Sequence, residues 1–140
     1  MKTFVTENKE YKFEFIKRKS FFNNTNIYIC NITNNIGINI LTFNISEIDL
    51  LNIIDNLNEF SSEDIDLYYS ISNSNENIYI IEMKQLDIDP FLIYKIDDYL
   101  TKDIISINSY KDGRIIKIIQ FDVSDNLNYL INLLQELYSE

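Results

Sequence analysis

The sequence predicts a small acidic α+β domain, mainly an antiparallel sheet with two helices, in the order βββα-βββ-ββα. Three observations carry this. Leu50, Ile53, Ile54 and Leu57, and again Leu127, Leu130, Ile131, Leu134 and Leu137, recur at the spacing that puts each set on one helix face. Between and before these stretches lie short runs rich in Ile, Phe and Tyr, bounded by Asn, Asp and Gly, the pattern of strands and turns. The chain has 140 residues, which suits one domain spanning 1–140 and leaves little room for two.

Taken in order, Tyr11 to Lys17 alternates, with Tyr11, Phe13 and Phe15 on one face, as a half-buried strand near a sheet edge does. Lys17-Arg18-Lys19 reads as its exposed end. Ile27 to Thr33 and Ile38 to Phe43 are strands joined through Asn34-Asn35-Ile36-Gly37, residues that tolerate the positive φ of a hairpin. Both are apolar on both faces, which predicts central positions. Ser46 is placed to cap a helix running to about Phe60. Asp66 to Ile71 and Asn77 to Lys84 flank the turn Asn73-Ser74-Asn75-Glu76, and Phe91 to Ile96 forms a further strand after the break at Asp89-Pro90. The second hairpin closes with Ile115 to Phe121. Ser124 then caps the last helix, with Asp125 in its first turn, where the helix dipole favours a negative charge.

The two helical stretches belong to an internal echo. At an offset of 78 residues Ile27/Ile105, Ile29/Ile107, Ile38/Ile116, Ile40/Ile118, Phe43/Phe121 and Ser46/Ser124 are identical. The helices match with one residue of slip: Leu50/Leu127, Ile53/Leu130, Ile54/Ile131 and Leu57/Leu134. Two hairpin-plus-helix half repeats are the expectation.

Composition narrows the function. There is no histidine, which removes Ser-His-Asp and Cys-His catalysis and His-ligated zinc. One cysteine, Cys30, excludes a disulfide framework and reads as a buried, reduced thiol. Two glycines leave no phosphate-cradling loop. A net charge of -10 disfavours direct nucleic-acid binding, which rests on Lys and Arg neutralising phosphate, and suits a basic protein partner. Met1 to Glu10 has no apolar leader segment and no apolar run reaches membrane-spanning length, so a cytoplasmic protein with no membrane partner is expected, as monomer or homodimer. No cofactor or metal is implied.

Two constellations compete for chemistry. Asp66 on one strand with Glu82 and Lys84 on the next has the residue types of a metal-dependent nuclease, in which acids hold a divalent ion and a lysine assists water. The other is an acid-and-tyrosine surface: Glu63, Asp64, Asp66, Tyr68 and Tyr69 in one group, Asp97, Asp98, Tyr99 and Asp103 in a second. Tyrosines supply interface area and carboxylates steer a basic partner. The second is favoured, so no catalytic residue is expected.

The layout resembles the immunity proteins of bacterial polymorphic toxins, in particular the family that protects against Wap-type tRNase toxins. The resemblance rests on four features: the alternating strand Tyr11 to Lys17; the first helix of type S-E-x-x-x-L-x-x-I-x-x-L from Ser46-Glu47 to Leu57; the lone proline at Asp89-Pro90; and the closing strand and leucine helix, Ile115 to Leu137. Asp66 to Ile71 stands where that family would carry a glutamate-proline segment. The resemblance implies a non-catalytic, bacterial inhibitor that neutralises a cognate toxin, a basic nuclease domain, by covering its active site. The same features also suit a phage-encoded, anti-CRISPR-like inhibitor of a host defence nuclease.

Overall fold

The computed structural model describes residues 1–20, 22, 24–63, 65–73, 76–87 and 101–140. Ten elements follow one another: β1 (Lys2–Val5), β2 (Tyr11–Lys19), β3 (Asn26–Asn34), β4 (Asn39–Ser46), α1 (Glu47–Glu63), β5 (Leu67–Ser72), β6 (Asn77–Asp87), β7 (Thr101–Lys111), β8 (Arg114–Asp122) and α2 (Leu127–Ser139). The α+β class and the antiparallel layout are as the sequence predicts. The strands divide between two sheets, β1-β2-β3-β4 and β5-β6-β7-β8, every neighbouring pair antiparallel. Four strands in chain order followed by a helix therefore occur twice. The expected strand over 91–96 lies outside the described residues, and β1 is an additional strand that sequence reading passed over.

Alternation builds each sheet. Phe4, Phe13, Ile32 and Leu41 stand in one cross-strand row, and Phe15, Cys30 and Phe43 in the next. All point inward and are buried or nearly so. In the second sheet Ile81, Ile107 and Ile119 form one inward row, and Met83, Ile105 and Phe121 another. The two inner faces meet through aromatic pairs. Phe13 and Phe121 lie edge to face at 5.1 Å, and Phe43 stacks on Tyr79 at 4.7 Å. Such pairs add to what burial alone contributes.

Both helices close this core. α1 buries Leu50, Ile53, Ile54, Leu57 and Phe60; α2 buries Leu127, Leu130, Ile131, Leu133, Leu134 and Leu137. The helices pack on each other, α1 also against β5 and α2 against β1. Each fully buried Leu, Ile or Phe contributes on the order of 2 kcal/mol. One wholly apolar cavity of about 50 Å³ sits where both sheets and both helices converge, lined by Phe13, Cys30, Leu57, Ile107 and Leu134 among others. Its lining offers a water no hydrogen-bond partner.

The turns follow the sequence chemistry. Asp112 and Gly113 both adopt positive φ, 52° and 78°, and join Lys111 to Arg114 as a two-residue hairpin turn. Gly37 has φ 83°, and the Asn34 side chain accepts from the backbone N–H groups of Ile36 and Ile38. Ser46 caps α1, its Oγ accepting from Asp49 N–H at 3.1 Å. Ser124 does not cap α2. The helix begins at Leu127 with Asn126 at its N-cap and no side-chain cap bond. Ser124 instead accepts from the Asp103 N–H and donates to Asp122, because the chain needs one more turn to leave β8. Asp125 likewise precedes the helix, and its N–H donates to Glu7. β4 is an edge strand, not a central one, and β1 flanks β2 so that β2 is interior.

Candidate functional site

α1 is charged with one sign only. Its sequence holds Glu47, Asp49, Asp55, Glu59 and Glu63 and no Lys or Arg. The first two are engaged. Glu47 accepts from the Asn26 N–H, and Asp49 accepts from the Tyr69 hydroxyl at 2.6 Å. Both also sit in the first turn, where the helix dipole favours them. Asp55, Glu59 and Glu63 are exposed. Among the described residues none of the three forms an ion pair, and the last turn of α1 has no basic residue. At the C-terminal end the charge of Glu63 adds to the negative end of the helix dipole instead of opposing it.

Helical spacing lines these residues up. Ile48, Leu51, Asp55, Glu59 and Glu63 follow one another at three- and four-residue steps and share the outward stripe. Ile48 is 72% exposed and Leu51 39%. The stripe therefore runs from an apolar end to a carboxylate end. In the S-E-x-x-x-L-x-x-I-x-x-L pattern, Ile54 and Leu57 are core residues and Leu51 is a surface one.

The predicted surface residues separate on this frame. Glu63 ends α1, and a short connection leads to Asp66 and Tyr68 at the start of β5; all three are exposed, Tyr68 by 73%. Asp66 accepts from the Gln85 N–H at 3.1 Å, and the Gln85 side-chain amide donates to Asp103 at 3.4 Å. Gln85 thus brings Asp66 and Asp103 to one place, although one precedes β5 and the other lies on β7. Tyr69 is turned away from Tyr68 by strand alternation. It faces α1, donating to Asp49 and accepting from Asn52. Burial, then the Asp49 carboxylate, raise its phenol above the ordinary value. Tyr69 is a packing residue and not part of an exposed surface. Asp64, Asp97, Asp98 and Tyr99 lie outside the described residues, as does Asp89-Pro90.

The nuclease set is also placed. Glu82 and Lys84 share the outer face of β6 and pair with each other at 3.0 Å. The Asp66 carboxylate is spent on the Gln85 backbone. Among the described residues no three Asp, Glu or Cys side chains gather closely enough to hold a metal ion. Of the basic trio, Lys17 lies over the Tyr28 ring at 6.0 Å while Arg18 and Lys19 are exposed at the end of β2. Cys30 is buried, and desolvation pushes its thiol far above the ordinary range, so it is an inert core residue.

Sequence reading missed two surfaces. One is the unopposed stripe of α1: sequence reading places Asp49, Asp55 and Glu59 on the outer helix face but takes it for a plain solvated face, although no Lys or Arg occurs over seventeen residues. The other is β8, where Ile115, Ile116 and Ile118 are 53%, 58% and 56% exposed. Compared with known families and with curated proteins, the chain matches no family model and no curated sequence. No helix of the described residues is long and apolar enough to cross a membrane.

Proposed function

We propose that the protein is a non-catalytic binding protein that neutralises a cationic protein partner, a toxin domain of nuclease type, by docking the outward stripe of α1 and the start of β5 over its active site. One observation carries this: Asp55, Glu59 and Glu63 stand exposed on α1 with no ion-pair partner among the described residues, and Glu63 lies in the last turn, where the helix dipole makes its charge unfavourable. Selection for stability alone would favour Lys or Arg there. A cation-rich surface that recognises a nucleic-acid backbone is the natural complement. The net charge of -10 steers such a partner toward the protein over a distance set by salt screening. Ile48, Leu51 and Tyr68 supply the apolar contact that holds it once it arrives. The partner meets this surface in the cytoplasm.

The test is capture from native lysate with the tagged wild type and with a triple variant, Asp55→Lys, Glu59→Lys and Glu63→Lys, at low and high salt. The expected result is a small basic protein bound by the wild type, released by salt and absent with the variant. A basic protein bound equally by both, or none bound by the wild type, overturns the reading.

A further inference from the structure

Phe22 is 94% exposed, more than any other large apolar side chain of the described residues. It lies between β2 and β3, which pair out to Lys19 and Asn26. The Ser20 N–H then donates to the Thr25 carbonyl at 2.6 Å. The pairing therefore runs one step past both strands and leaves Phe22 at the tip of the hairpin. Asn24, at a positive φ of 56°, helps to turn the chain there.

The base of this tip is cationic. Lys17, Arg18 and Lys19 close β2, and among the described residues none of them forms an ion pair. Strand alternation sets Arg18 on one face of the hairpin and Lys17 and Lys19 on the other. Behind Arg18, on its own face, lie the half-buried Ile16, Ile27 and Ile29. The sequence keeps acid away from this region. The chain has 22 Asp and Glu residues, yet none falls between Phe15 and Ser46. Glu47 meets the hairpin only at its base, on the Asn26 N–H.

We propose that the β2–β3 hairpin is a reversible docking site for an anionic lipid surface, with Phe22 inserted at the headgroup boundary and Arg18 and Lys19 on lipid phosphates. An apolar contact backed by basic residues is what such a boundary binds. The attraction of Lys and Arg to an anionic leaflet falls off within a Debye length, so it acts on the residues nearest the tip. Cations on both faces fit a tip that enters end-on and is surrounded by headgroups. A nucleic-acid strand or a protein surface would meet one face and leave the cations of the other unused. Nucleic-acid affinity also grows with the number of phosphates neutralised, and three cations offer few. Shallow insertion needs neither a spanning segment nor a leader, so a chain expected to have no membrane partner on those two grounds can still take this one. The hairpin stands apart from the acidic stripe of α1, and neither reading rests on the other.

The chain contains no tryptophan, so Phe22→Trp places a single reporter at the tip. Its emission is expected to shift to the blue on vesicles of equimolar phosphatidylcholine and phosphatidylserine, to stay unchanged on phosphatidylcholine alone, and to return at high salt. Soluble glycerophosphoserine, the same headgroup chemistry without a surface, is expected not to shift it. The wild type is expected to co-sediment with the mixed vesicles. Phe22→Ser, and the pair Arg18→Gln with Lys19→Gln, all at exposed positions, are each expected to bind several-fold more weakly with unchanged far-UV circular dichroism. No shift on the mixed vesicles overturns the proposal. So does wild-type sedimentation that Phe22→Ser leaves undiminished, equal binding to neutral vesicles, or a shift produced by RNA or by the soluble headgroup instead of by vesicles.

Discussion

In the first ββββα unit the last strand, β4, has its free edge occupied by Asn73 and Lys117, while the helix that follows it displays an unopposed row of carboxylates. In the second unit the arrangement is reversed. β8 exposes Ile115, Ile116 and Ile118, and α2 carries only Glu136 as a charged residue. The inner parts are nearly interchangeable. At an offset of 77 residues Leu50, Ile53, Ile54, Leu57 and Phe60 coincide with Leu127, Leu130, Ile131, Leu134 and Leu137, and all ten are buried. Two units that share a core thus differ in what they expose: the first presents a row of carboxylates, the second a row of isoleucines on β8. Burial constrains the inward positions in common, while each outward surface is free to serve a different partner.

The comparison breaks most directly in the core. Phe60→Ala and Leu137→Ala occupy matched positions, 1% and 0% exposed, and each is expected to cost about 3–4 kcal/mol by loss of transfer energy and creation of a void. Urea unfolding midpoints measure both. A large loss in one and a negligible loss in the other would show that the units are not energetically alike.

The helix starts come next. Ser46→Ala is expected to cost about 1 kcal/mol through loss of the cap on Asp49 N–H. Asn126→Ala is expected to change stability little, because Asn126 makes no side-chain cap bond. Thermal unfolding of the two variants side by side checks the difference. The edges differ in a similar amount. Asn73→Ala removes two hydrogen bonds from β4, a loss of about 1 kcal/mol, and should promote association through the backbone groups of Asn44 that it frees. Light scattering against time would record it.

The smallest effect is pH-dependent and confined to the second unit. Burial pushes the Asp122 carboxyl up, but hydrogen bonds from Ser124 and the Lys102 ion pair outweigh it and hold it below the ordinary value. A depressed folded value stabilises the protein above the unfolded carboxyl pKa, about 3.9, and that contribution is lost as pH falls through the folded value. The stability difference between wild type and Asp122→Asn should therefore be present at neutral pH and shrink below about pH 4. A difference that stays constant with pH would rule out the charge as its source.

Much of this was legible along the chain. Helical periodicity identified all the core positions of α1 that sequence reading named, and four of the matched helix pairs, because one face of a helix is a local property. The Asn-Asn and Asp-Gly turns, the Ser46 cap and the buried Cys30 were legible for the same reason. The strand echo was less reliable. Ile29 and Ile107 align at an offset of 78, yet Ile29 stands on the outer face of β3 and Ile107 on the inner face of β7. A one-residue difference in register reverses a strand's faces, and in an isoleucine-rich chain both faces look apolar. The Ser124 cap failed because whether a serine caps depends on where the preceding strand ends.

The sequence by itself determined the α+β class, the two amphipathic helices, the hairpin turns, the acidity and the lack of histidine chemistry, all of which follow from residue identity and short spacing. Only the tertiary structure decided that the strands form two sheets, that β4 and β8 are edges, that Asp66 and Asp103 meet at Gln85 while Tyr69 turns inward, and that Asn73 and Lys117 occupy the free edge of β4. Those outcomes depend on contacts between residues far apart in the chain, such as Asn73 with Asn44 and Lys117 with Ile40. Local periodicity sets which face of an element is apolar, but only packing sets what that face meets.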